Sequence, residues 1–127
     1  MKTFVVDTHT LVWFLSGSLR LSRAAHTILR DPTVRLIIPA IVLAEIKYLG
    51  NRGRFAQTLD DVLRVIGTDP RCLVYPIDLG VVQRAPAALD IHDGLIVGTA
   101  LAQSTAVEGI LTCDEAVTKS GLVPVIW

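Results

Sequence analysis

The chain has 127 residues, 51% hydrophobic and 19% charged, which is the length of one domain with enough apolar side chain for a core and too little charge for a disordered segment. Twelve Lys and Arg balance twelve Asp and Glu, and that zero argues against a partner gripped by bulk electrostatics alone. The longest runs free of charge, Thr8–Leu19, Leu36–Ala44 and Gly94–Val107, fall short of a membrane span of about 20 residues; Asp7 interrupts any leader-like start, and the distant Cys72 and Cys113 fit a reducing compartment, so the expectation is a cytoplasmic protein without membrane contact.

Thr3–Val6, short, apolar and β-branched, predicts a buried strand. Thr8–Ser16 reads as a helix stopped by Gly17, and Ser22 as the cap of a second helix through Arg30, ended by Asp31-Pro32. Val34–Ile38 predicts a second strand. Pro39 suits a first helical position, and that helix is expected to reach Leu49 with Gly50 as its stop. A helix over Phe55–Ile66 ends at Gly67, and Leu73–Tyr75 is a third strand. Asp78 opens a helix toward Leu89 that Pro86 bends or shortens. Asp93 is expected to open another, through Gln103; Gly109–Leu111 is a fourth strand, Glu115–Ser120 a short helix and Val123–Ile126 a fifth strand. Strands that are continuous apolar runs, alternating with helices, predict a single doubly wound α/β domain whose sheet is mostly parallel and covered on both faces.

In such sheets ligands sit at the carboxyl ends of the strands, where the strand order reverses. Asp7 directly follows the first strand, Asp114 follows the fourth, and Asp93 begins the helix leading into the fourth. Each also has an ordinary reading as a helix cap. Glu45 is harder to explain that way. It lies mid-helix in PAIVLAEIKYL, with Ile41, Val42, Tyr48 and Leu49 one turn away, and a carboxylate facing burial needs a base, a proton or a metal. Its own helix offers only Lys47, on another face. Converging carboxylates repel unless a cation joins them, and Mg²⁺ or Mn²⁺, hard ions that prefer oxygen, suit such a set and the hydrolysis of phosphodiesters. His9, His26 and His92 lack the spacing of zinc ligands.

Four segments, VVDTHTLVW around Asp7, IPAIVLAEI around Glu45, DIHDGLIVGTA around Asp93 and ILTCDEAV around Asp114, together resemble the PIN domain, in particular the ribonuclease toxins of VapBC toxin–antitoxin pairs. The resemblance spans nearly the whole chain in the family's order. It implies a three-layer α/β/α fold with a central five-stranded sheet and a Mg²⁺- or Mn²⁺-dependent endoribonuclease. It also implies a homodimer held in check by a small cognate antitoxin. Carried over position by position, Asp7, Glu45, Asp93 and Asp114 become the catalytic and metal-holding acids, supported by Thr8 and Thr112. Two positions depart from the family: Gly94 stands where many relatives carry Arg, and Ala40 where they often carry Ser.

Between Ile46 and Leu59 the only charged residues are Lys47, Arg52 and Arg54, flanked by Tyr48 and Phe55 on a Gly- and Asn-rich turn. Basic side chains beside aromatics suit a phosphate backbone with unstacked bases, and equally an ordinary solvated connection. Arg20 and Arg23 form a second candidate patch. His92 reads as structural rather than as a general base, His9 is undecided between the site and its helix, and Trp13 reads as core or dimer surface. The rival functions are a non-catalytic PIN-like dimeric binding module and a phosphatase or phospho-acceptor domain on a similar sheet. The phosphatase would want a second acid two residues after Asp7, where this chain has His9.

Overall fold

A computed structural model describes all 127 residues. The apolar runs form five strands: β1 (Thr3–Val6), β2 (Arg35–Pro39), β3 (Cys72–Tyr75), β4 (Gly109–Leu111) and β5 (Val125–Ile126). They lie side by side in the order β3-β2-β1-β4-β5, and every neighbouring pair is parallel. Parallel neighbours need crossovers. Seven helices supply them: α1 (Thr8–Ser16), α2 (Arg23–Arg30), α3 (Ala40–Asn51), α4 (Leu59–Ile66), α5 (Leu79–Arg84), α6 (Ile91–Leu101) and α7 (Glu115–Ser120). All four residues of β1 are buried, as are all three of β4 and four of the five in β2, so the central strands are covered on both faces. The expected α/β/α architecture is what the chain adopts. Val5, Val6, Ile38, Ile110 and Leu111 at its centre have no accessible surface, whereas Leu73 and Val74 on the edge strand β3 keep about two-fifths of theirs.

Several boundaries differ from the sequence reading, each for a local reason. The segment from Phe55 does not join α4, because Thr58 caps that helix: its hydroxyl accepts from the Asp61 N–H, and the Asp61 carboxylate accepts from the Thr58 N–H. Helix α5 ends at Arg84, before Pro86. Gly50 does not stop α3, which runs on to Asn51, and Pro39 caps that helix from outside it. Helix α6 is capped by Asp90, whose carboxylate accepts from the Asp93 N–H, so Asp93 lies in the first turn and is not the cap. Strand β5 is confined to Val125–Ile126.

Helix α6 packs on β1, β2, β4 and three other helices, and its contact with α5 is set by glycine. A Cβ on Gly98 would stand 2.5 Å from the Val81 carbonyl oxygen and 3.0 Å from the Ala85 nitrogen. Gly94, one turn earlier and buried, would meet the Pro86 carbonyl oxygen at 3.3 Å. Position 94 is therefore part of the α5–α6 seam, where a Cβ would ask the turn after α5 to give by a few tenths of an ångström.

Candidate active site

The strand order reverses between β1 and β4, and the carboxyl ends of these two strands hold the first pair of predicted residues. Val6 pairs with Leu111, which sets Asp7 beside Thr112. Asp7 caps α1, accepting from the Thr8 N–H at 2.7 Å through one oxygen and from the buried Thr112 hydroxyl through the other. The same Thr112 oxygen accepts from the Asp114 N–H at 3.0 Å. Thr112 thus clasps two of the four acids, and Thr10 adds a second tie by donating to the Leu111 carbonyl at 2.7 Å. Asp114 caps α7, accepting from the Val117 N–H.

Glu45 comes from the middle of α3, carried to the same end of the sheet by the direct β2–α3 junction. It is half-buried, and its only hydrogen-bonding partner is the Thr8 hydroxyl at 3.2 Å. The chain's three ion pairs, Arg64–Asp61, Arg71–Asp69 and Lys119–Glu115, all lie elsewhere. No Lys or Arg neutralises any of the four acids, and Lys47 does not reach Glu45.

The electrostatics follow from that. Burial raises the Asp7 and Glu45 carboxyls above their ordinary range, with the facing acids adding to the rise. Asp93 is pushed up to about 7, first by burial and then by the charges of Asp114, Asp90 and Asp7. The four acids therefore feel one another across the end of the sheet. They do not form a closed cage, since no three His, Cys, Asp or Glu side chains converge closely enough to enclose an ion. An oxygen-only donor set with no base to balance it fits a hard divalent ion that retains part of its water shell, and offers nothing to a soft metal.

The remaining predicted residues surround this cluster. His9 lies beside the acids, acting on both Asp7 and Glu45, and its ring contacts Trp13 at 5.5 Å and Phe55 at 5.7 Å. Half-buried Trp13 contacts Trp127 at 5.7 Å, and Arg20 lies 6.0 Å from the Trp13 ring. His92 lies within range of the Glu45 charge. Lys47, Arg52 and Arg54 are exposed at the end of α3 and in the turn after it, which Gly53 makes with φ +70°, and the Arg52 guanidinium lies 4.3 Å over the Tyr48 ring. Sequence reasoning passed over Asp90, which both caps α6 and presses on Asp93; the Asp-x-x-Asp spacing of a cap with its third helical position was the available signal.

Residues 4–119 match the sequence profile of the PIN domain. A search of curated protein sequences finds no significant match. Among solved structures, the chain is similar to VapBC2 from Rickettsia felis, bound to a DNA fragment of its promoter, with TM-score 0.66 and 14% identity over 98% of this chain and 97% of that one. It is also similar to a toxin–antitoxin complex from Klebsiella pneumoniae, with TM-score 0.66 and 18% identity over 97% and 95% of the two chains. A third similar structure is Mycobacterium tuberculosis VapC20, a toxin that cleaves the sarcin–ricin loop, with TM-score 0.64 and 17% identity over 94% and 96%.

Proposed function

The chain belongs to the PIN domain family, and from that premise we propose that it is a Mg²⁺- or Mn²⁺-dependent endoribonuclease, the toxin of a toxin–antitoxin pair, acting in the cytoplasm as a homodimer. The observation that carries this reading is the set of four carboxylates, Asp7, Glu45, Asp93 and Asp114, brought to one end of the sheet with no Lys or Arg paired to them. Evolution tolerates such a repulsive group where a cation completes it. The similar toxin–antitoxin complexes support a small antitoxin as partner, and the RNA-cleaving relative supports RNA as substrate.

These four acids would hold the ion, which when bound supplies activation of water and neutralisation of charge on the phosphate. The chain's own residues supply placement. Thr112 fixes Asp7 and the backbone of Asp114, and Thr8 fixes Glu45, so the acids hold their positions against mutual repulsion. Lys47, Arg52 and Arg54 have the charge to hold the phosphate backbone as it enters. His9 and His92 flank the acids and need carry no proton for the reaction.

Incubation with single-stranded RNA and Mn²⁺, with and without EDTA, tests the reading. Cleavage is expected with the ion, loss of cleavage with EDTA, and loss again in Asp7→Asn with the circular dichroism spectrum unchanged. RNA bound without being cut would favour the non-catalytic module, and phosphate released from a monoester would favour the phosphatase.

A further inference from the structure

Beside the acids, between α3 and the first turn of α6, lies a hollow of about 580 Å³, lined by Ile41, Ala44, Glu45, Tyr48, Leu49 and His92. Ile41, Ala44, Glu45 and Tyr48 follow the i, i+3, i+4, i+7 spacing of one helical face, so the hollow is a furrow along α3 with a carboxylate in its wall. Its size is that of a small-molecule site. Its walls are mostly apolar, Tyr48 keeps 57% of its surface exposed, and Arg52 lies on that ring at 4.3 Å. A ring already held by a stacked guanidinium loses little freedom when a second planar group meets it.

We propose that this hollow is a base-reading subsite, in which Tyr48 and His92 receive one unpaired nucleobase of the RNA adjacent to the phosphate that is cut. The inference rests on the ribonuclease reading and deepens it by naming residues that set sequence preference. Three features favour a nucleobase over other occupants. Glu45 is both one of the acids and part of the furrow's wall, so an occupant lies beside any phosphate that meets the acids. It combines an aromatic ring and aliphatic walls with two polar groups, the Glu45 carboxylate and the His92 imidazole, which match the flat face and the hydrogen-bonding edge of a base. The chain just beyond it carries Lys47, Arg52 and Arg54 and no acid, complementary to the phosphates on either side of a bound nucleotide. A paired base, stacked within a helix, presents neither face nor edge in this way.

The test has an arm that does not depend on cleavage. Adenosine, guanosine, cytidine and uridine monophosphates are titrated into the metal-free protein while the Tyr48 and His92 resonances are followed by NMR. Both are expected to shift together, with one base binding most tightly. In the cleavage arm, Tyr48→Ala is expected to raise KM for a single-stranded oligoribonucleotide roughly 5- to 100-fold, the range for one stacked base, with kcat changed only a few-fold. Tyr48→Phe is expected to keep the wild-type KM. Mapping of cut positions is expected to show a base preference next to the cut that flattens in Tyr48→Ala and alters in His92→Ala. An unchanged KM and preference in Tyr48→Ala, or nucleotide shifts confined to other residues, overturns the proposal. So does conversion of a dimer to a monomer by Tyr48→Ala in light scattering, which would give the hollow to a second copy of the chain. If the wild type cuts no RNA but nucleotides still move Tyr48 and His92, the ribonuclease reading fails and the base site stands.

Discussion

Thr112 shows how much one buried hydroxyl can organise. It has no accessible surface, donates to Asp7 and accepts from the Asp114 backbone, so one side chain holds residues 107 positions apart in sequence. Thr112→Val keeps the shape and orphans both partners, and is expected to lower stability by about 1–2 kcal/mol in urea unfolding, with cleavage falling much further than stability. Asp93 carries the opposite sign. Its carboxyl is raised to about 7 from an ordinary 3.8, so between those values the folded chain holds more protons than the unfolded one. Stability of the metal-free protein should therefore be highest below pH 4 as far as this group is concerned, and its contribution should fade as pH rises toward 7 and beyond. Thermal melts of Asp93→Asn are expected to show a shallower loss over that window and a higher Tm than wild type at pH 7.5; a large drop in Tm would assign Asp93 a structural role instead. Because a metal competes with protons for the same oxygens, added Mg²⁺ should raise the wild-type Tm more at pH 7.5 than at pH 5.

At the level of elements, the strands were the easiest to read from the sequence. Thr3–Val6 and Gly109–Leu111 are continuous apolar runs because both faces are covered, and they match the structure residue for residue. Helix starts were harder, because the residues that decide them are short polar side chains with more than one option. Thr58 and Asp61 form a reciprocal cap that cuts Phe55–Gln57 off from the helix expected over Phe55–Ile66, and Asp90 takes the capping position expected of Asp93. That second shift leaves the Asp93 carboxylate uncommitted to a cap, unlike those of Asp7 and Asp114. Gly94 and Gly98 look from sequence like weak points in a helix. Their reason is visible only where α5 crosses α6, at a distance no Cβ allows for Gly98 and at a tight one for Gly94. Gly98→Ala is expected to lower stability by about 1–3 kcal/mol through overpacking, and an unchanged urea midpoint would show that the seam yields freely.

For the molecule as a whole, the zero net charge is an average over two unlike regions. Four of the twelve acids gather at one end of the sheet, which leaves twelve bases against eight acids elsewhere, a mildly basic remainder of +4. RNA binding by the proposed nuclease should be weak and should fall with added salt, and less steeply in a variant with Lys47, Arg52 and Arg54 all replaced by Ala; a slope unchanged by that triple replacement would remove those residues from the RNA path. The four acids were legible because they fall just after strands or on an apolar helix, while their distances and the furrow beside Glu45 depend on how α3 and α6 lie, which no local pattern encodes. The β1–β4 pairing has a further consequence in time. Asp7 precedes its neighbours Leu111 and Thr112 by more than a hundred residues, so they are added long after it. At ribosomal speeds of about 5–20 residues per second, the first acid waits several seconds for its clasp. A nascent chain therefore lacks an assembled site until β4 and Thr112 have been added and can pair with β1 and Asp7.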